Sequence, residues 1–470
     1  MSPLNTTIWR AWQSLREQPL NLSYVGDETL YEACAYLARD NGEITLEEIG
    51  KSRQGRSLVA LTLGRGPTNI TIKGNAHADE PAGIVTCLLL ARLLTEDPVW
   101  KNLKDRFRFF MIPTANPDGL ARNRQWLEGA FDLKRYFMHV YRDLPRDDVE
   151  FGYPASSVTS VQDVRPENIA CARFLDAAAP VAAHLSLHSI VFTGGAWFLV
   201  AADTHPTPFE PSLSFLTDAC VDEGIPLHDE DRGGQKGFSR LRQGFHSIPT
   251  VEGMKAFFNQ SGDTTLASDF RINSMQYAME NCGARFAAVS ELPYAFDRAL
   301  ANMTPTGLTR RDLEFRRVGQ YTIVLDELAD TLARFDDLPN SGEGGFWRDY
   351  FSAYLAYRRS GLKSLTRDVD RYADKQATLR DLYDVNLLTL RHRIYNSAAG
   401  YKLSQFGDHP NADKWGKRYR TCFDQRFDEM TSRFQFQPVA LATQVRLQLA
   451  TILAGLMAVN DQETSDLNNG

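Results

Sequence analysis

The chain has 470 residues, 43% of them hydrophobic and 24% charged, which supplies ample apolar material for a sizeable core. A formal net charge of −7 argues against broad nucleic-acid binding, which requires a basic footprint. At this length two domains are expected, or one large α/β domain with an appendage.

Residues 1–25 read as a lead-in. Asp27 to Asp40 is expected to be helical, with Leu30, Cys34, Leu37 and Ala38 on one face. Gly50 to Arg56 is a turn before a strand, Ser57 to Leu63. The alternating run Asn69-Ile70-Thr71-Ile72-Lys73 reads as a second strand, and Ile84 to Leu94 is apolar enough for a buried helix. Between them lies Gly74-Asn75-Ala76-His77-Ala78-Asp79-Glu80-Pro81-Ala82-Gly83, so His77 and Glu80 stand where a strand ends and a helix begins. An imidazole and a carboxylate so spaced can turn toward one ion. Zinc takes that ligand mix, and a catalytic zinc needs one further protein ligand and an open position for water. Taken alone the pattern is short enough to arise by chance, and a Glu at a helix N-terminus is favoured by the helix dipole anyway.

Phe107 to Ile112 is a further strand, ending in the tight loop Pro113-Thr114-Ala115-Asn116-Pro117-Asp118-Gly119. Pro166 to Leu175 reads as a helix, Val181 to Leu187 as a strand ending at His188, and Trp197 to Ala201 as a strand. Pro211 to Cys220 and Ser268 to Cys282 read as helices, and Arg285 to Val289 as a strand ending at Ser290-Glu291. Strands alternating with helices predict an α/β fold, a mostly parallel, twisted mixed sheet with helices on both faces. Active sites of such sheets gather at the carboxyl ends of strands, where His77, His188 and Glu291 all fall.

After about Pro305 an all-helical C-terminal region is expected. Val318, Tyr321, Leu325, Leu328, Leu332 and Phe335 form one amphipathic stripe, and Trp347, Tyr350, Tyr354 and Tyr357 another. Pro339 to Gly345 links them, and Asp368 to Arg393 and Pro438 to Val459 continue the helical texture. The expected division is 1–25 lead-in, 26–304 catalytic domain, 305–460 helical domain and 461–470 polar flexible tail. The six cysteines lack any C-x-x-C pair and read as reduced core residues. Met1 to Arg16 has no apolar signal-like core, and Val439 to Val459, interrupted by Gln444, Arg446 and Gln448, suits a core helix better than a membrane span. A cytoplasmic location without a membrane partner follows as the default expectation.

Taken in order, several short segments resemble the zinc metallocarboxypeptidase family. They are Glu48-Ile49-Gly50-Lys51-Ser52 with Gly55-Arg56, the His77 loop, Asn116-Pro117-Asp118-Gly119, Phe131 to Phe137, Pro166-Glu167-Asn168, Leu187-His188-Ser189 and Ser290-Glu291-Leu292. The resemblance runs from about Tyr24 to Phe296. It implies one zinc held by His77, Glu80 and His188, with Glu291 as general base toward a water. It implies Arg124 as the donor to the negative charge developing on the substrate, in preference to Arg122. Arg135 matches the family's clamp on the substrate's terminal carboxylate, but Lys134 stands where the family usually has Asn, and either contacts an acidic substrate or points to solvent. The family's mobile tyrosine has no clear counterpart: Arg232 to Asn259 contains no Tyr, and Tyr277 and Tyr294 read as packing residues. His184 is structural, because i and i+4 on a strand lie ~13 Å apart. Glu252 is a weak rival to Glu291.

The function so implied is zinc-dependent hydrolysis of the C-terminal amide bond of a peptide. An amidase or deacylase acting on a small amino-acid conjugate or cell-wall-type peptide is the alternative, and a degenerate zinc domain used for protein contacts a third reading. The helical region either caps the cleft or serves as a surface for homo-oligomer formation.

Overall fold

A computed structural model of the chain describes residues 2–155, 164–202, 209–230, 237–260, 262, 264–338, 341–372, 375–406 and 411–469. Arg232 and residues 339–340 of the expected linking loop lie outside the described residues. The order begins α1 (Pro3–Glu17), α2 (Asp27–Asp40), β1 (Thr45–Lys51), β2 (Ser57–Leu63), β3 (Thr68–Gly74), α3 (Ala82–Glu96), β4 (Phe107–Ile112), α4 (Pro117–Arg122), α5 (Arg124–Leu127) and α6 (Leu133–His139). It continues α7 (Pro166–Ala177), β5 (Val181–Thr193), β6 (Trp197–Ala202), α8 (Glu210–Asp222), β7 (Arg240–Arg242), β8 (Phe245–Ser247), α9 (Val251–Gln260), α10 (Thr264–Asp269), α11 (Ser274–Cys282) and β9 (Phe286–Phe296). The last third is β10 (Pro305–Thr309), α12 (Arg310–Ala333), α13 (Gly342–Asp368), β11 (Gln376–Thr378), α14 (Leu379–Leu403), α15 (Ala412–Arg433), β12 (Gln437–Pro438) and α16 (Leu441–Asn469).

The main sheet runs β1-β2-β4-β3-β5-β9-β6-β8-β7, with β12 added beside β9. Its centre, β4-β3-β5-β9, is parallel; β1–β2, β2–β4, β9–β6 and β8–β7 pair antiparallel, and β6–β8 is parallel again. The central strands are apolar on both faces, as burial under two helical layers requires. Ile70, Ile72, Leu185 and Leu187 point to a core shared with α1, α3 and α16. Leu58, Ala60, Phe110 and Ile112 point to the opposite core, with α7 and α11. Five of the cysteines are buried and Cys422 is half-buried, all as free thiols.

Several expected boundaries move. Residues 3–17 form a helix that buries Ile8, Ala11, Trp12 and Leu15, so this segment is part of the core and not a mere lead-in. The expected helix Ser268 to Cys282 is two helices, broken around Arg271-Ile272, and α14 starts only at Leu379, not at Asp368. Both β5 and β9 run past His188 and Glu291, which therefore lie within strands and not beyond their ends. The expected polar tail continues α16 as far as Asn469.

The helical region is not a unit apart. Its last helix, α16, is long and apolar enough over Leu441–Asn460 to cross a membrane, but most of that stretch is buried in the protein. A Cβ at Gly455 would sit 3.0 Å from the Leu185 side chain, so α16 lies close on β5. Buried Gln448 accepts from the Thr86 hydroxyl (2.6 Å) and donates to the His188 carbonyl (3.3 Å), tying α16 to α3 and β5 together. Helices α12 and α14 each open on a Thr–Asp capping box, Thr309/Asp312 and Thr378/Asp381, which pairs otherwise orphaned N–H groups. Because α16 covers one face of the sheet, a chain cut after residue 304 exposes that face. Such a truncated chain is expected to show no cooperative thermal transition by circular dichroism, whereas the full chain melts cooperatively; a sharp melt of the short chain would contradict this packing.

Candidate metal centre and active site

The His77 loop is set by a sharp reversal after β3. Asn75 takes a left-handed φ of 45°, and its amide donates to the His77 carbonyl at 2.9 Å while accepting from the Thr114 hydroxyl at 2.7 Å. Gly74 and Gly83 lie back to back: a Cβ on Gly74 would meet Gly83 C at 2.7 Å, and one on Gly83 would meet Gly74 Cα at 2.8 Å. Only hydrogen at both positions lets α3 start directly behind the strand end. The Glu80 N–H donates to the His77 carbonyl (3.1 Å), which turns both side chains to one side.

Parallel pairing then aligns three strands. Gly74 of β3 pairs with Leu187 of β5, and His188 of β5 pairs with Glu291 of β9. The Nδ1 atoms of His77 and His188 come within 3.0 Å of each other. Glu80 Oε1 lies 3.0 Å from His77 Nδ1, and Oε2 lies 2.8 Å from His188 Nδ1. The far sides of both rings meet carboxylates: His77 Nε2 lies 3.4 Å from Asp148 Oδ2, and His188 Nε2 lies 2.9 Å from Glu150 Oε2. When both rings are neutral with the proton on Nε2, facing its carboxylate, both Nδ1 atoms present lone pairs to the centre, alongside carboxylate oxygens. Glu80 Oε2 is buried and, despite its short contact, satisfies no hydrogen-bond geometry. Lone pairs facing each other at such range are stabilised by a cation, and outer carboxylates that fix the tautomer are the usual supports of metal-bound histidines.

The donor set fits zinc. One ligand atom from each of His77, Glu80 and His188 lies within 4.8 Å of the others, and tetrahedral zinc with bonds of ~2.0–2.1 Å separates its ligands by roughly 3.3 Å. The electrostatics agree. Burial opposes charge on His188, but the Glu80 and Glu150 carboxylates outweigh it and push the imidazole up to about 9. Burial likewise opposes charge on Glu80, yet His77, Arg142 and His188 hold its carboxyl well below the usual range. The cluster opens into a cavity of about 510 Å³, which Glu291 also lines. Burial, and next the Glu80 carboxylate, push the Glu291 carboxyl up to about 7. A cation in the cluster offsets the second of these effects.

The three cationic side chains singled out from the sequence lie elsewhere. Arg124 makes a two-pronged ion pair with Asp27, both contacts 2.7 Å, and also meets Glu28, with 43% of its side chain exposed. The reason is local: Asn123 and Trp126 turn inward and bond each other, which leaves Arg124 on the outer side of the short α5. Lys134 pairs with Asp424 of α15 at 2.8 Å, and Arg135 donates to the Ala130 carbonyl at 2.6 Å. Both sit on the outer side of α6 because Tyr136 and Phe137 claim its buried side. None of the three lines the cavity. Tyr277 and Tyr294 are packing residues, their hydroxyls bonded to Asp176 and to the Asp79 carbonyl. His184 is structural, bonded between Thr71 and Ser274. Glu252 does not line the cavity.

Sequence reasoning missed the cation that does reach the centre. Arg142 Nη1 donates to Glu80 Oε1 (2.7 Å) and Asp79 Oδ1 (3.2 Å), and the Tyr350 hydroxyl of α13 donates to its carbonyl at 2.9 Å. It also missed Asp148 and Glu150; Glu150 further pairs with buried Lys73 at 2.6 Å. These residues stand in an unpatterned stretch with no spacing cue. Tyr350, Tyr354 and Tyr357, part of the second amphipathic stripe, line the cavity.

The profile of the zinc carboxypeptidase family matches residues 30–192. Zinc carboxypeptidase A 1 of Anopheles gambiae is 37% identical over 93 residues, covering 18% of this chain and 21% of that protein. Carboxypeptidase 2 of Trichophyton rubrum is 28% identical over 133 residues, covering 26% of this chain and 25% of that protein. The chain thus spans about a quarter of the length of the curated relatives it matches. The crystal structure of carboxypeptidase A from Helicoverpa armigera, 15% identical, covers 62% of this chain and 71% of its own with a TM-score of 0.39.

If Asp148 orients His77, Asp148→Asn should weaken zinc binding by about 10- to 100-fold in a chelator competition, with the fold unchanged by circular dichroism. Unaltered affinity would remove Asp148 from the centre. The matched stretch, residues 30–192, runs through the His77 loop and as far as His188, so the part of the chain that carries the ligand cluster is similar to the zinc carboxypeptidase family.

Proposed function

We propose that this protein is a zinc-dependent carboxypeptidase that hydrolyses the C-terminal amide bond of a peptide, with one zinc per chain held by His77, Glu80 and His188. The observation that carries the reading is the convergence of two Nδ1 atoms and a carboxylate, all within 4.8 Å, at the rim of a cavity that Glu291 shares. Zinc there supplies a Lewis acid that polarises the scissile carbonyl and lowers the pKa of a bound water.

The chain's own groups do the rest. Glu291, lifted toward neutrality, is suited to take a proton from water and hand it to the leaving amine. Arg142, anchored by Asp79 and Glu80, presents a preorganised guanidinium beside the ligand cluster and takes the charge-stabilising role that Arg124 cannot reach. Asp148 and Glu150 hold the two imidazoles in the tautomer that leaves Nδ1 free to ligate. The wall that α13 and α14 add to the cavity favours short, flexible peptides over folded proteins, and by the same enclosure keeps a small amino-acid conjugate as the alternative substrate. That wall makes capping the cleft the proposed role of the helical region, in preference to homo-oligomer formation.

The test combines metal analysis with a screen for released C-terminal amino acids. Wild-type protein should bind about one zinc and release free amino acid from peptides, and chelation should abolish release. Glu291→Gln should retain zinc and lose turnover. Arg142→Met should lower kcat by about 10²- to 10³-fold. Turnover of N-acyl amino acids without peptide cleavage would favour the amidase reading, and zinc binding with no hydrolysis of either would overturn both.

A further inference from the structure

The side of the cavity built by α13 and α14 carries two arginines that no motif predicted. Arg358 of α13 and Arg391 of α14 both line it and are half-buried. The Nε atoms of both are buried without a hydrogen-bond partner. Among the described residues neither forms an ion pair with a carboxylate, unlike their neighbours: Arg393 and Arg426 share Glu327, and Arg380 pairs with Glu230 and Asp381. Arg142, the other arginine lining the cavity, is already committed to Asp79 and Glu80.

The Arg358 guanidinium lies 5.0 Å from the Tyr354 ring centre and 5.3 Å from that of Tyr357. The Tyr354 hydroxyl is fixed in turn by His392 Nδ1 at 3.2 Å, whose Nε2 meets the Tyr321 hydroxyl at 3.1 Å. Burial, and next the fields of Arg358 and Arg391, hold His392 well below the usual histidine range, so these cations face a neutral imidazole and not a counter-ion. A guanidinium withdrawn from water without an anion is costly, and a planar fork of donors fits a carboxylate two-pronged. The aromatic stack holds the fork in place before any ligand arrives, which lowers the ordering cost of binding.

We infer that Arg358 and Arg391 form a carboxylate-binding subsite, supplied by the helical region, that takes the α-carboxylate of a substrate's C-terminal residue. This assignment rests on the carboxypeptidase reading and gives the helical region a part in recognition. It fills the place that Arg135, turned toward the Ala130 carbonyl, leaves open.

Binding should be measured in the Glu291→Gln background, where turnover does not interfere. The probes are a blocked dipeptide ending in leucine as free acid, the same peptide as its C-terminal amide, and a peptide ending in glutamic acid α-amide, which keeps only a side-chain carboxylate. Arg358→Gln and Arg391→Gln should each weaken the free-acid peptide by about 10- to 100-fold and leave the amide peptides nearly unchanged. Loss confined to the glutamic α-amide would replace the α-carboxylate assignment with recognition of an acidic side chain, and equal Kd values in all variants would overturn the subsite.

A second readout separates binding from a structural role. Arg358→Leu and Arg391→Leu remove an unpaired charge, so the Tm of the ligand-free protein should hold or rise; a fall in Tm with unchanged peptide binding would overturn the inference. Arginine-dependent binding without any hydrolysis by the wild-type protein would sink the carboxypeptidase reading and leave the subsite standing. Hydrolysis with arginine-independent binding would do the reverse.

Discussion

Two imidazole nitrogens 3.0 Å apart, each with its opposite nitrogen committed to a carboxylate, set the terms for the rest of this molecule. With both rings neutral such an arrangement is repulsive by itself, because lone pairs face lone pairs beside the buried Glu80 carboxylate. It persists only where the surroundings hold each ring firmly and a cation rewards the geometry. The parallel centre of the sheet does the holding. Hydrogen-bonded register sets β3, β5 and β9 side by side, so that a loop histidine, a strand histidine and a strand glutamate reach one rim. Helices on both faces keep that register, since a slip of one residue would turn His188 and Glu291 to the other side of the sheet.

The charge pattern around the centre has two layers. Nearest the centre, carboxylates dominate: Glu80, Asp148, Glu150 and Glu291, with Asp79 close behind. Arg142 and Lys73 offset part of this, each held by specific acids and not free to wander. The same cavity is lined by Arg358 and Arg391, which form no ion pair with a carboxylate among the described residues, and Arg358 stands over the Tyr354 and Tyr357 rings. The proposed peptide substrate, with an anionic C-terminus and a scissile carbonyl that needs a cation beside it, matches that charge pattern.

The helical region is therefore more than an appendage. Helix α16 covers the sheet and touches the His188 carbonyl through Gln448. Helix α13 anchors the Arg142 carbonyl through Tyr350. Strand β12 adds to β9, the strand that carries Glu291. Any rearrangement of these helices reaches the site through covalent and hydrogen-bonded continuity, which ties substrate access to the packing of the last third of the chain.

The sequence alone determined the elements and the short-range chemistry. Period-two apolar runs marked the central strands, the Gly-Asn-x-His-x-x-Glu loop marked the reversal after β3, and His188 and Glu291 were reached through the short segments Leu187-His188-Ser189 and Ser290-Glu291-Leu292 that resemble the zinc metallocarboxypeptidase family. Such signals are local: they depend on backbone geometry and on residues a few positions apart. What tertiary structure decided was the destination of long cationic side chains. Arg124 and Arg135 match the family pattern and Lys134 stands where it has Asn, yet helix phase at Asn123, Trp126, Tyr136 and Phe137 turns all three outward to other partners. Arg142, Asp148 and Glu150 sit in no pattern, and Arg358 and Arg391 lie far along the chain, so only the folded register brings them to the same cavity. A flexible charged side chain goes where burial and counter-charges place it, and those are set by packing between elements distant in sequence.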